Sequence, residues 1–169
     1  LQLTQEHFIG FEANSIAITL GEQLKKAGKT IATAESCTGG NIAHQITLVP
    51  GSSQYFNGGV VCYANEVKIN TLGVSIQDIQ QYGAVSETVA RQMAEGARKR
   101  LNTDFAIATT GVAGPDGGSD EKPVGTVWIA VADSTGTIAK KCFFPSTREN
   151  FIDRTSNHAI LMLLHRLGE

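Results

Sequence analysis

The sequence lacks three features that would indicate particular classes of protein: paired cysteines, a surplus of positive charge and a long apolar run. Three cysteines, Cys37, Cys62 and Cys142, are an odd number without paired spacing, which argues against a disulfide framework. The formal net charge of -2 argues against a broad basic surface for nucleic acid. No apolar stretch reaches the roughly 20 residues that span a bilayer, and residues 1–12 lack the pattern of a signal peptide. We therefore expect a cytoplasmic protein that binds neither nucleic acid nor membrane.

The composition is that of an ordinary folded domain. Hydrophobic residues make up 41% of the chain and charged residues 18%, which excludes disorder on composition, and 169 residues fit one domain over 1–169. Segments with helical spacing of apolar residues alternate with short strand-like segments, and a hairpin signal at residues 133–136 precedes a last helix. Ser75, Ser86 and Ser146 are predicted to cap helices. This order predicts a mixed sheet covered by helices on both faces.

The sharpest local signal is the run Ala-Glu-Ser-Cys-Thr-Gly-Gly at residues 34–40, which follows a predicted strand. Ligands of open α/β sheets bind beyond the carboxyl ends of strands. A serine there, followed by glycines and a helix start, has backbone amides around it that can hold an oxyanion or a phosphate. The alternative is a plain strand-to-helix turn in which Ser36 or Thr38 caps the helix. Cys37 is either a rival nucleophile or a small buried thiol.

A second glycine-rich segment, residues 111–118, also follows a predicted strand. It lacks the Gly-Lys-Ser/Thr ending of a nucleotide-binding P-loop, and Asp116 and Asp120 supply only part of a calcium loop. Nothing selects His44 for a Ser-His-Asp triad. Metal-ligand spacing is absent among the four histidines, His7, His44, His158 and His165, so we predict no metal site.

The run Tyr-Ala-Asn-Glu-Val-Lys at residues 63–68 begins where another predicted strand ends. A lysine one turn into a short helix can point back over the strand ends. Burial there would lower the pKa of Lys68, which could then serve as a general base for a serine. The alternative is a solvated surface lysine, as most lysines are.

Five segments, in the same order along the chain, together resemble the CinA C-terminal domain family. The resemblance runs from about residue 10 to the end, and it implies a three-layer α/β/α sandwich with a mixed, mostly parallel sheet and a homodimer. It also implies an amidohydrolase of NAD metabolism that converts a pyridine nucleotide, nicotinamide mononucleotide, into nicotinate mononucleotide and ammonia. No metal or organic cofactor is implied. The five segments are residues 34–40, 59–68, 83–90, 109–118 and 122–130.

The same resemblance implies roles for individual residues. Ser36 corresponds to the nucleophile and Lys68 to its base, while Tyr63 and Thr110 would orient the lysine or relay protons. Arg148 corresponds to an arginine on the phosphate side of the substrate. The other substrate-binding residues that we expect are Cys37, Thr38, Gly39, Gly40, Gly111 and Gly114.

One position departs from the family pattern. A second arginine usually follows the first by four residues, and here that residue is Ile152. Arg154 is the next arginine, but two positions apart on a helix face roughly opposite sides. Losing one charge-assisted contact to a phosphate costs about 1.5–3 kcal/mol, so we expect weak or no activity on nicotinamide mononucleotide. The alternative function is a catalytically impaired or altered-substrate nucleotide-binding member of the family.

Overall fold

The computed structural model describes residues 13–168, with side chains from residue 16 onward. The prediction for residues 1–12 and the one for His7 lie outside the described residues. No helix of the described part is both long and apolar enough to cross a membrane. The α-helices are α1 (Ala13–Ala27), α2 (Asn41–Thr47), α3 (Asn65–Leu72), α4 (Ile76–Tyr82), α5 (Glu87–Arg100) and α6 (Arg148–Leu167). The strands are β1 (Ile31–Glu35), β2 (Phe56–Val61), β3 (Phe105–Gly111), β4 (Thr126–Ala132) and β5 (Thr137–Phe143).

The strands form one sheet in the order β2-β1-β3-β4-β5. β1 lies between β2 and β3 and is parallel to both, whereas β4 is antiparallel to β3 and to β5. Four of the five strands therefore point in the same direction, and the expected mixed, mostly parallel sheet is confirmed. Its central parallel pair, β1 and β3, brings the two glycine-rich segments to one edge.

The two faces of the sheet differ in side-chain size because successive residues of a strand point to opposite faces. On β1, Ile31 packs in a core shared with α1, α2 and α6. Ala32 and Ala34 belong to a second core on the other face, to which α3, α4 and α5 contribute. Helices thus cover both faces, and the predicted three-layer sandwich is confirmed.

Two of the three predicted helix caps are confirmed. The hydroxyls of Ser75 and Ser86 accept hydrogen bonds from amides in the first turns of α4 and α5. The prediction for Ser146 is wrong, because its hydroxyl bonds to carbonyl oxygens instead. Thr147 caps α6 by accepting from the amide of Asn150 at 3.4 Å, so the helix begins with Arg148.

The second face is so closely packed that α5 touches the backbone of α3. A Cβ atom on Gly96 of α5 would lie 2.0 Å from the carbonyl oxygen of Leu72, the last residue of α3. Backbone cannot turn aside as a flexible side chain can, so an added methyl group would push the two helices apart. Because α3 also carries Lys68, the spacing of α3 and α5 contributes to the position of that side chain.

We expect Gly96→Ala to lower the free energy of unfolding by up to about 2 kcal/mol net, since overpacking usually costs about 1–3 kcal/mol. This cost should exceed the gain of up to ~1 kcal/mol from better helix propensity. Urea unfolding measures the net loss, with Lys99→Ala at an exposed position of the same helix as the control. A Gly96→Ala protein as stable as the wild type would contradict the packing argument.

Candidate active site

A pocket of about 200 Å³ opens at the carboxyl ends of β1 and β3. Ser36 directly follows β1 and Gly111 ends β3, so the two glycine-rich segments meet at one edge of the sheet. Cys37 and Arg148 also line the pocket. The four residues expected in catalysis all line it as well: Ser36, Tyr63, Lys68 and Thr110.

Strand alternation separates Ser36 from its neighbour Glu35. The Glu35 carboxylate turns toward the start of α2 and bonds to its backbone amides, whereas the Ser36 hydroxyl turns toward α3 and contacts Lys68. The amide of Ser36 donates to the carbonyl of Thr109 at 3.0 Å, which extends the ladder between β1 and β3 by one residue. The sheet itself thereby fixes the backbone from which the hydroxyl projects.

Lys68 lies one turn into α3 with only 1% of its surface exposed, which excludes the alternative of a solvated lysine. Its Nζ lies 3.0 Å from Ser36 Oγ, 2.7 Å from the carbonyl oxygen of Cys62 and 3.1 Å from that of Tyr63. No carboxylate among residues 16–168 forms an ion pair with it. Burial lowers the pKa of Lys68 from its usual value of 10.5 because the charged form loses hydration.

The contacts of Lys68 suit a neutral amine. Two of its N–H groups can donate to the carbonyls of Cys62 and Tyr63, which leaves the nitrogen lone pair for the hydroxyl hydrogen of Ser36. A lysine that is buried without a counter-ion and points at a serine hydroxyl is the arrangement required of a general base.

Two buried thiols lie near this pair, and neither is prepared to act as a nucleophile. Burial raises the pKa of Cys37 to about 12 and that of Cys62 to about 11. Both thiols are therefore protonated near neutral pH, whereas the thiolate is the reactive form. Cys37 is the small buried thiol of the two alternatives that the sequence left open.

The structure narrows the set of amides that could hold an anion beside Ser36. The amide of Gly40 donates to Glu35 Oε2 at 3.1 Å, and that of Gly39 donates to the carbonyl of Ser36 at 3.1 Å. Neither is available to a ligand. Among the described residues, the amides of Cys37 and Thr38 donate to no oxygen acceptor. Only Cys37 of these two lines the pocket, so its amide is the candidate anion donor.

Tyr63 and Arg148 form a separate polar contact at the mouth of the pocket. Arg148 Nη2 donates to the Tyr63 hydroxyl at 2.8 Å, and Arg148 Nη1 donates to the carbonyl of Gly114 at 2.7 Å. Tyr63 therefore contacts Lys68 through its backbone carbonyl and not through its hydroxyl. Gly114 does not line the pocket, but it holds the arginine that does.

Thr110 supports the pocket wall. Its hydroxyl donates to the carbonyl of Ala84 at 2.8 Å, so it links β3 to the segment before α5 and bonds to neither Ser36 nor Lys68. Of the other residues expected to bind substrate, Thr38, Gly39 and Gly40 lie in the turn behind Ser36 and outside the pocket lining.

Comparison with known proteins identifies the family of this chain. The family model of the CinA C-terminal domain matches residues 13–167. The chain belongs to the CinA C-terminal domain family. It is 46% identical over 162 residues to the CinA-like protein of Cytophaga hutchinsonii, an alignment that covers 96% of this chain and 38% of that protein. The chain thus spans well under half the length of this relative.

Solved structures of the CinA family share the fold. The competence/damage inducible protein CihA of Agrobacterium tumefaciens superimposes with a TM-score of 0.89 at 38% identity, covering 93% of this chain and 96% of that one. The competence damage-inducible protein A of Klebsiella pneumoniae gives a TM-score of 0.90 at 32% identity, covering 93% and 98%. The domain described here is therefore close in extent to CinA structures already solved.

Some residues of the pocket were not predicted from the sequence. Asn65, Ala84, Val85 and Ala113 also line it. Ala84 and Val85 lie within one of the segments that resemble the family, so that segment was the available signal. Glu35 was likewise part of a quoted motif, and an acidic residue just before a predicted helix start was the signal for its contacts with α2.

Proposed function

We propose that this domain is an amidase that hydrolyses the carboxamide of a pyridine nucleotide by means of Ser36 and Lys68. The observation that carries the proposal is the buried contact of 3.0 Å between Lys68 Nζ and Ser36 Oγ. The resemblance to CinA C-terminal domains supports the choice of an amide as substrate, and nicotinamide mononucleotide is the first compound to test.

The first half of the reaction acylates Ser36. Lys68 takes the hydroxyl proton as Ser36 Oγ attacks the carboxamide carbon, and the oxyanion that forms is held by the amide of Cys37. The Lys68 ammonium then gives its proton to the amide nitrogen. The C–N bond breaks, ammonia leaves, and an ester joins Ser36 to the nicotinoyl group.

The second half hydrolyses that ester. Lys68 is neutral again and takes a proton from a water molecule, whose oxygen attacks the ester carbon. When the tetrahedral intermediate collapses, the proton returns from Lys68 to Ser36 Oγ and the carboxylic acid product leaves. One amide and one water thus give one acid and one ammonia, and the enzyme is restored.

The phosphate of the substrate would meet a single arginine. Arg148 is exposed at the mouth of the pocket, and one turn later Ile152 packs against the core between α6 and the sheet. Arg154 does not replace the missing charge, since its guanidinium lies 5.3 Å from the ring centroid of Phe144 and it is not part of the pocket lining. This observation favours a second candidate function, an amidase for a substrate with less negative charge than a nucleotide monophosphate.

We expect Ile152→Arg to lower the KM for nicotinamide mononucleotide roughly 10- to 100-fold, the equivalent of one charge-assisted hydrogen bond. The effect should fall on KM more than on kcat because the phosphate contact is the same in the ground state and the transition state. Ile18→Arg adds the same charge at an exposed position of α1 and should leave KM unchanged. A wild-type KM in the Ile152→Arg protein would show that this position is not the cause of weak activity.

Ammonia release from a panel of amides tests the proposal and separates the two candidates. The panel contains nicotinamide mononucleotide, the corresponding nucleoside and free nicotinamide. Preference for the nucleotide supports the first candidate, and preference for the nucleoside supports the second. Purified protein that releases no ammonia from any of them would contradict both. The homodimer stays a prediction, which sedimentation of the same preparation can test.

A further inference from the structure

The Glu35 side chain is buried, with 1% of the residue exposed, and its carboxylate accepts hydrogen bonds from nearby groups of the same chain. No lysine or arginine among the described side chains forms an ion pair with it. Its two oxygens instead accept four hydrogen bonds from the turn and first turn of α2. Oε2 accepts from Thr38 Oγ1 at 2.7 Å, Gly40 N at 3.1 Å and Ile42 N at 3.0 Å, and Oε1 accepts from Ala43 N at 2.8 Å.

These bonds close the turn that carries the candidate nucleophile. The chain leaves β1 at Glu35, passes Ser36, and is fastened again to the Glu35 side chain at Thr38 and Gly40. Carboxylates are also favoured at the positive end of a helix. Glu35 therefore supplies the acceptor for amides at the start of α2 that have no partner within the helix.

The backbone of Glu35 reaches the other half of the reacting pair. Its carbonyl oxygen accepts from the amide of Cys62 at 2.9 Å and from the Cys62 thiol at 3.6 Å. The carbonyl of Cys62 in turn accepts from Lys68 Nζ at 2.7 Å. One residue is thus bonded to the turn behind Ser36 and to the residue that holds Lys68.

We propose that Glu35 is the positioning residue of the site. It holds the turn so that no oxygen of the protein accepts from the amide of Cys37 at the pocket, while Gly40 and the first turn of α2 are engaged. This inference rests on the proposed Ser36 chemistry but not on the identity of the amide. Glu35 itself contacts no reacting atom and transfers no proton.

Glu35→Gln is the sharpest variant because it keeps shape and removes one acceptor oxygen. Its NH₂ group would face a backbone or hydroxyl donor, so the turn must shift. Displacements of about 1 Å near reacting groups can cost roughly 10²-fold, and we expect kcat to fall about 10- to 100-fold with KM changed little. If neutral Lys68 is the base, kcat/KM rises with pH as Lys68 loses its proton. This rise should persist in Glu35→Gln, because Glu35 is not the base.

Ser75→Ala is the matched control. It removes the side-chain cap of another helix, α4, at a position outside the pocket lining. It should destabilise the protein without changing kcat. A fluorophosphonate probe gives a second readout that needs no amide substrate. Ser36 Oγ displaces fluoride from phosphorus while Lys68 takes the hydroxyl proton, and a phosphonyl oxygen then lies where the oxyanion would. The labelling rate should fall in Glu35→Gln in parallel with kcat.

The outcomes separate this inference from the proposed function. Glu35→Gln protein with wild-type turnover and labelling, or faster turnover because a nearby negative charge is gone, would overturn the positioning role alone. Labelling that drops in Glu35→Gln while no pyridine nucleotide is hydrolysed even by the wild type would support the role and reject the substrate. If Glu35→Gln does not fold, Thr38→Val takes its place, because it removes one of the four hydrogen-bond donors to Glu35. Reduced labelling of Thr38→Val would support the positioning role, and unchanged labelling would overturn it. Wild-type protein that is neither labelled nor active would reject both ideas.

Discussion

Ser36→Ala is expected to reduce ammonia release by roughly 10⁴- to 10⁶-fold, to the background of the assay, as loss of a serine nucleophile does in other hydrolases. The reason is chemical: without Oγ no acyl-enzyme forms, and neither neighbouring thiol can replace it. Burial holds the pKa of Cys37 near 12, so a thiolate is scarce at neutral pH. Steady-state ammonia release with each active substrate of the panel measures the effect.

Two controls distinguish lost chemistry from a lost fold. Ser53→Ala, at an exposed position outside the pocket, should retain wild-type turnover. The Ser36→Ala protein should still bind nicotinamide mononucleotide in calorimetry with about the wild-type affinity, because the hydroxyl contributes mainly to the transition state. Turnover that survives Ser36→Ala would remove Ser36 from the mechanism and with it the proposed function.

Much of the fold could be predicted because its signals are local. A short helix was expected around Lys68 and is α3, and Gly111 was expected just after a strand and ends β3. The pairing of a serine at one strand end with a lysine from another followed from the rule that parallel strands expose their carboxyl ends together. The resemblance to a known family supplied the roles.

The features that could not be predicted depend on which donor meets which acceptor. Ser146 and Thr147 can both cap a helix. Only the structure shows that the Ser146 hydroxyl donates to backbone carbonyl oxygens instead. Thr110 bonds to Ala84, which lies 26 residues earlier in the chain. The four contacts of Glu35 likewise require the closed turn, and no periodicity in the sequence encodes them.

Lys68→Met should lower kcat/KM by about 10²- to 10⁴-fold, the usual contribution of a general base. Methionine fills a similar volume but cannot accept the proton of Ser36. Lys26→Met makes the same substitution at an exposed position of α1 and should have no effect on turnover. A Lys68→Met enzyme with wild-type kcat/KM would show that Ser36 is activated by another group.

The pH dependence of kcat/KM tests whether Lys68 acts as a base. Burial depresses the pKa of Lys68 below 10.5, and only the neutral amine can accept a proton. We therefore expect kcat/KM to rise about tenfold per pH unit below the folded-state pKa and to level off above it. The two neighbouring thiols should not obscure this limb, because burial raises the pKa of Cys62 to about 11 and that of Cys37 to about 12.

The free energy of unfolding should also depend on the titration of Lys68. Between the depressed pKa of folded Lys68 and the value of 10.5 of an unperturbed lysine, the unfolded chain binds more protons than the folded one. The free energy of unfolding then increases with pH across that window, and the contribution is lost as the pH falls through the folded-state pKa. Lys68→Met should lack this slope, whereas Lys26→Met should keep it in the same series of urea titrations. A slope that is equal in both proteins would mean that Lys68 keeps an ordinary pKa in the folded state, and a lysine charged at neutral pH could not take the proton of Ser36.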